Sequence, residues 1–243
     1  MHAKVIMLAS GKGGTGKSTV SVLLGGCLAE RGKRVLLVEL DSGLRSVDVI
    51  SGVYGKTVYD IEDVLSGRCI ADKAVVESPL YKNLFVISAP YSGGTVRTEA
   101  LGAFVSQVRS AFDFILLDTA AGMGAPFIAA CDAANLALLV ITPDPVTVRD
   151  GRIVSDTLFE KGHRAVRLVL NKVPKTLEGT GISDLDECID TVGAQLLAVI
   201  PDSAEVRVAA SNGTKLPQGC KAQRAFFALA ARICGTDVPL VIT

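Results

Sequence analysis

The 243-residue chain contains no tryptophan, and aromatic residues of all kinds make up only 5% of it. Its core must therefore be built from aliphatic and small side chains, and with 24 glycines and an abundance of Ala, Val and Leu this suits closely packed alternating strands and helices. Net charge is also missing, with 25 Lys+Arg against 25 Asp+Glu, which argues against a dedicated nucleic-acid binder. The six cysteines (27, 69, 131, 188, 220 and 234) include no C-x-x-C or C-x-C pair and follow no cleavable signal segment. They are expected to be reduced, buried thiols in a cytoplasmic protein. No apolar run approaches the roughly 20 residues that span a bilayer. Disorder, collagen and a disulfide miniprotein are excluded by 49% hydrophobic and 21% charged residues. No linker, internal repeat or low-complexity segment divides the chain, so a single domain over 1–243 is expected.

Short β-branched runs alternate with helical stretches, in the rhythm of stacked βαβ units. The expected strands are Lys4–Ala9, Arg34–Glu39, Leu84–Ser88, Phe114–Asp118, Leu136–Thr142, Val166–Asn171 and Leu197–Ile200. Most are continuously apolar, as strands are when helices cover both faces of a parallel sheet. The expected fold class is therefore α/β, a doubly wound, mostly parallel sheet with helices on both faces. The polar stretch 175–186 reads as a loop before a helix.

Gly11-Lys12-Gly13-Gly14-Thr15-Gly16-Lys17-Ser18-Thr19 satisfies G-x-x-x-x-G-K-[ST], with a strand before it and an amphipathic helix expected after it. This is the pattern of a P-loop. The glycines let successive backbone N–H groups turn toward a phosphate, and the positive end of the following helix adds to that field. Lys17 is placed to neutralise β/γ oxygens and Ser18 to ligate Mg2+. Asp118, at the carboxyl end of the run Phe114–Asp118, is the complementary magnesium carboxylate, and the small residues Thr119-Ala120-Ala121-Gly122 after it permit close approach to the γ-phosphate.

The early Lys12, paired with Lys17, resembles the deviant Walker A box of the MinD/ParA ATPases. The segment Glu39-Leu40-Asp41-Ser42-Gly43-Leu44-Arg45-Ser46-Val47-Asp48 resembles the MinD-type D-x-D-x-G-L-R-N-x-D. Val58-Tyr59-Asp60, Val148-Arg149-Asp150 and Val199-Ile200-Pro201-Asp202 extend the likeness from Lys4 to about Cys234, with more of MinD than of ParA in it. The resemblance implies a P-loop ATPase that uses ATP and Mg2+ and dimerises around ATP, with Lys12 reaching the partner subunit's nucleotide and Asp41 orienting the attacking water. It also implies Asn171 at the purine ring, with Pro201 and Asp202 lining the same pocket. The Asn-Lys-x-Asp box of GTP-binding proteins uses its final Asp for guanine, whereas Asn171-Lys172-Val173 is followed by Pro174, which favours ATP. Glu39 stands where the family usually has Asp and receives no assigned role.

Three function classes share such a site. A spatial switch in cell division, with a protein regulator as partner, is the reading that the MinD likeness favours. A metal-cluster carrier similar to Mrp and CooC needs paired cysteines. A ParA-type DNA partition ATPase needs a basic surface, for which Arg207, Lys215, Lys221, Arg224 and Arg232 are the modest candidates, and no nucleic acid is expected as a partner. Residues 235–243 contain no Lys or Arg and a central Pro239, so they make no basic amphipathic helix. Lys221–Cys234 is expected to be a core-facing helix. Any localisation at the inner face of a membrane is therefore expected to come through a partner that recognises a surface near Arg149 and Asp150.

Overall fold

The order of one β-sheet explains where the chemistry collects. The computed structural model describes residues 2–43, 45–91 and 98–240. Its strands are β1 (Lys4–Ala9), β2 (Val35–Glu39), β3 (Val76–Glu77), β4 (Leu84–Ile87), β5 (Phe114–Asp118), β6 (Leu136–Ile141), β7 (Val166–Val173) and β8 (Gln195–Pro201). The helices are α1 (Lys17–Glu30), α2 (Ser46–Ser51), α3 (Ile61–Leu65), α4 (Ala71–Ala74), α5 (Leu101–Val108), α6 (Ala125–Ala133), α7 (Pro145–Glu160), α8 (Leu185–Val192), α9 (Ala204–Asn212) and α10 (Lys221–Ile233). The strands lie in the order β3-β4-β2-β5-β1-β6-β7-β8, all parallel except for the β3–β4 pair.

All seven expected strands are present, β1 and β5 with the expected bounds and the others with ends shifted by one or two residues. The short antiparallel β3 was not anticipated, because two residues carry no periodicity to read. β7 runs past Asn171 to Val173 through a register irregularity against β8, at which Lys172 adopts φ 53.

Alternation along the strands divides the core. Val5, Met7 and Ala9 of β1 face one apolar layer with Leu101, Phe127 and Leu158, while Ile6 and Leu8 face the other with Leu24, Leu28 and Phe226. The terminal helix α10 buries Phe226, Leu229 and Ile233 in that second layer, as its spacing predicts. Each such side chain contributes roughly 1.5–3 kcal/mol on leaving water, which holds this helix on the sheet. One expectation fails: α1 is not amphipathic. It is buried from Val20 to Ala29, because it lies between the sheet and α10, and Gly25 and Gly26 make room there for Leu84 and for the ring of Tyr81. Of the cysteines, all free thiols, Cys27, Cys131 and Cys188 are buried, whereas Cys69, Cys220 and Cys234 are only partly so. No helix among the described residues is long and apolar enough to cross a membrane.

Candidate nucleotide-binding site

The carboxyl ends of the central strands meet beside the loop between β1 and α1. In register, Leu8 of β1 and Glu39 of β2 flank Asp118 of β5, so the expected magnesium carboxylate stands in the middle of the row and is fully buried. Three side chains of α1 converge on it. Lys17 Nζ is 3.2 Å from Oδ1, Ser18 Oγ donates to Oδ2 at 2.6 Å, and Ser21 Oγ lies 2.8 Å from Oδ1. Hydroxyl and carboxylate oxygens suit Mg2+, which commonly takes one or two protein ligands and completes its shell with water and substrate phosphates. Among the described residues no cluster of three or more His, Cys, Asp or Glu could hold a metal unaided.

The loop itself has the shape of a phosphate cradle. Gly14 and Gly16 take φ +84 and +85, which side chains rarely adopt, and a Cβ at Gly16 would overlap Asn171 Nδ2. Gly11 is tight for a different reason: its Cβ would come within 2.7 Å of the Asp150 Cβ on α7. Two consecutive residues near the carboxyl end of β7 hold the loop from the side. Asn171 Nδ2 donates to the Thr15 carbonyl and Lys172 Nζ to the Gly14 carbonyl, both at 2.7 Å. Thr15 Oγ1 is buried in the cradle with no hydrogen-bond partner, and a buried hydroxyl left so is expected to find one in a ligand. The residues present thus fit a nucleotide phosphate.

A cavity of about 370 Å³ opens over this loop, bordered by Lys12, Lys17, Ser18, Asp41 and Ala121. Gly16, Thr19 and Lys172 are shared with a second cavity of about 380 Å³ that continues to Asn171, Pro201, Asp202, Val206 and Arg207. The expected base-pocket residues are therefore brought together, and an Arg207–Asp202 ion pair stands at their edge. Lys12 is exposed on the rim. Its charge reaches Asp144, the N-cap of α7. Burial opposes ionisation of that carboxyl, but donors from Thr142 and Thr147, with Lys12, hold it below the ordinary range.

Burial raises the Asp41 carboxyl above its usual value, and nearby Asp118 adds to this while Lys17 works against it. Burial also pushes Glu39 up to about 8, with Asp118 and Asp48 adding to it and the Val47 and Ala89 amides opposing. Those two amides donate to opposite oxygens of Glu39, at 3.2 and 3.3 Å, so this carboxyl bridges the start of α2 and the end of β4. Sequence reasoning assigned Glu39 no role and passed over Ser21, whose partner lies 97 residues away. Leu44, in the same segment, lies outside the described residues, as do Val241, Ile242 and Thr243 of the tail.

The CobQ/CobB/MinD/ParA nucleotide binding domain matches residues 6–216. The chain belongs to that family. It is 35% identical to the septum site-determining protein MinD of Bacillus subtilis (strain 168), over 98% of this chain and 92% of that protein. Its fold superposes on a chain of the MinC:MinD cell division protein complex of Aquifex aeolicus with a TM-score of 0.91, at 30% identity and 99% coverage of both chains. The septum site-determining MinD of Pyrococcus horikoshii, complexed with Mg-ADP, gives 0.84 at 26% identity, covering 95% of this chain and 96% of that one. By family and fold the chain is a MinD-like P-loop ATPase with a role in cell division.

Proposed function

We propose that the chain is a single ATPase domain over residues 1–243 that closes into a homodimer around two ATP·Mg2+ and reopens on hydrolysis. The observation that carries this reading is the convergence of Lys17, Ser18 and Ser21 on Asp118, beside a glycine-built cradle with Lys12 exposed on its rim. ATP is the nucleotide and Mg2+ its metal.

Backbone N–H groups from Gly13 to Thr19 bind the phosphates, and Lys17 leaves Asp118 to neutralise them. Ser18 and Asp118 would hold Mg2+. When bound, the ion neutralises charge on the β- and γ-phosphates. Asp41, at the edge of the phosphate cavity, orients the attacking water or accepts its proton. Lys12 acts on the partner copy's nucleotide, which makes hydrolysis depend on dimerisation. Asn171 commits Nδ2 to the loop, leaving Oδ1, an acceptor, to face the base. Such an acceptor matches the amino group of adenine and mismatches the carbonyl of guanine.

The Aquifex aeolicus relative is found in a MinC:MinD complex, and we take a cell-division protein of that class as the partner here. The protein is cytoplasmic on this reading, with placement at the inner membrane face through such a partner. Sedimentation with ADP and with ATP, on the wild type and on Asp41→Ala, tests the switch. A dimer that forms only with ATP and persists in the variant is expected. Equal sedimentation in both nucleotides would overturn it.

A further inference from the structure

Asp41 lies on the connection between β2 and α2, and that connection, together with the two element ends it joins, is fastened at four points by four consecutive residues after β4. Ser88 Oγ donates to the fully buried Asp48. The Ala89 N–H donates to Glu39 Oε2, and the Pro90 carbonyl accepts from the Gly43 N–H at 3.1 Å. Tyr91 supplies the fourth point through its ring, 3.8 Å from the guanidinium carbon of Arg45 to the ring centroid. The fastening therefore brackets Asp41 on both sides.

Arg45 is the unusual member. It takes φ 48 and ψ 45, a left-handed conformation that a long side chain adopts only when its surroundings compel it. Those surroundings are visible. The side chain is 5% exposed, forms an ion pair with Asp48 at 2.7 Å, donates to Thr57 Oγ1 and stacks on Tyr91. The Tyr91 ring is itself 56% exposed, so it can be changed without opening the core. An aromatic face over a guanidinium attracts it through the ring quadrupole, and this attraction needs the ring and not the hydroxyl.

We propose that Arg45, clamped by Tyr91, is a positioning residue for Asp41, fixing the backbone turn from which the Asp41 carboxylate meets the reacting water. The proposal rests on the reading of Asp41 as the water-orienting group. Loss of the stack leaves the cradle, Asp118 and the base pocket untouched, because none of their bonds passes through Arg45 or Tyr91.

The test measures ATP turnover with Mg2+, and binding of a fluorescent ATP analogue, for the full chain and for Tyr91→Ala, Tyr91→Phe, Asp41→Ala and the double variant Asp41→Ala/Tyr91→Ala. Tyr91→Ala is expected to lower kcat about tenfold, within the roughly 100-fold that a 1 Å misplacement can cost, with KM and analogue binding unchanged. Tyr91→Phe should keep wild-type turnover, and the double variant should be no slower than Asp41→Ala. Normal turnover in Tyr91→Ala overturns the clamp and leaves the Asp41 reading standing, provided that Asp41→Ala is slow. Further loss in the double variant overturns it by showing that the stack acts elsewhere, and so does a fall in analogue binding by Tyr91→Ala. Normal turnover by Asp41→Ala refutes the Asp41 reading directly, and the clamp's role with it.

Discussion

Lys17 and Asp118, 101 residues apart in the chain, form a buried ion pair at 3.2 Å, with 7% and 0% of their side chains exposed. The pair places the cation at the mouth of the cradle, and it ties nucleotide binding to stability. Removing one partner of a buried pair leaves the other charge uncompensated, at a cost of about 3–5 kcal/mol. Lys17→Ala should therefore lose ATP affinity and melt earlier, with the stability loss near the lower end because Ser18 and Ser21 still serve Asp118. Lys12→Ala, at an exposed position, should melt like the wild type and bind ATP, yet fail to dimerise and hydrolyse it. Melting curves and sedimentation separate the two, and a Lys12→Ala protein that dimerises and turns over normally would rule out contact across the dimer.

Asp41→Ala should retain ATP and hydrolyse it roughly 2–4 orders of magnitude more slowly, the usual contribution of a positioned acid or base. The variant removes a half-buried carboxylate whose protonation burial already favours, so folding should not suffer. Phosphate release from preformed complexes measures this, and unchanged release would move the role to another residue.

The features legible in the sequence were those whose determinants are local. The cradle could be read because its glycines, Lys17 and Ser18 lie within nine residues, and Asp118 because it ends a continuous apolar strand. What escaped depends on partners distant in sequence. Ser21 looks like an ordinary helix serine until β5 is laid beside α1, and the left-handed turn at Arg45 is held by Tyr91 from beyond β4 as well as by the nearer Asp48 and Thr57. The misjudged face of α1 has the same origin: its polar residues at the start are site residues, and tertiary packing on several sides decides the rest.

Gly16→Ala should abolish nucleotide binding. The position needs φ +85, and the added Cβ would displace Asn171 Nδ2 from Thr15 and so loosen the loop and the base pocket together. Gly102→Ala is the contrasting case. On the exposed face of α5 nothing lies within 4 Å of the added Cβ, so this change should stabilise by about 0.5–1 kcal/mol and leave ATP binding alone. Denaturant melts with ATP titration distinguish them, and tight ATP binding by Gly16→Ala would mean that the loop adjusts freely.

Glu39 predicts a pH dependence whose sign follows from burial. The native carboxyl keeps its proton up to about pH 8, whereas in the unfolded chain it releases it near the ordinary 4.5. Between those values the folded state binds more protons, so stability contributed by this group is complete below about pH 4.5 and falls as the pH rises toward 8. Its slope is at most about 1.4 kcal/mol per pH unit. Glu39→Gln cannot ionise and should flatten that slope. The substitution also turns an NH2 group toward one of the Val47 and Ala89 N–H groups, which can only donate, and an offset of about 1 kcal/mol that is independent of pH is expected from this. The slope is therefore the diagnostic, read from urea melts at intervals between pH 5 and 8. Equal slopes in the two proteins would mean that Glu39 is ionised in the native state, stabilised by the two amides against burial and the neighbouring Asp118.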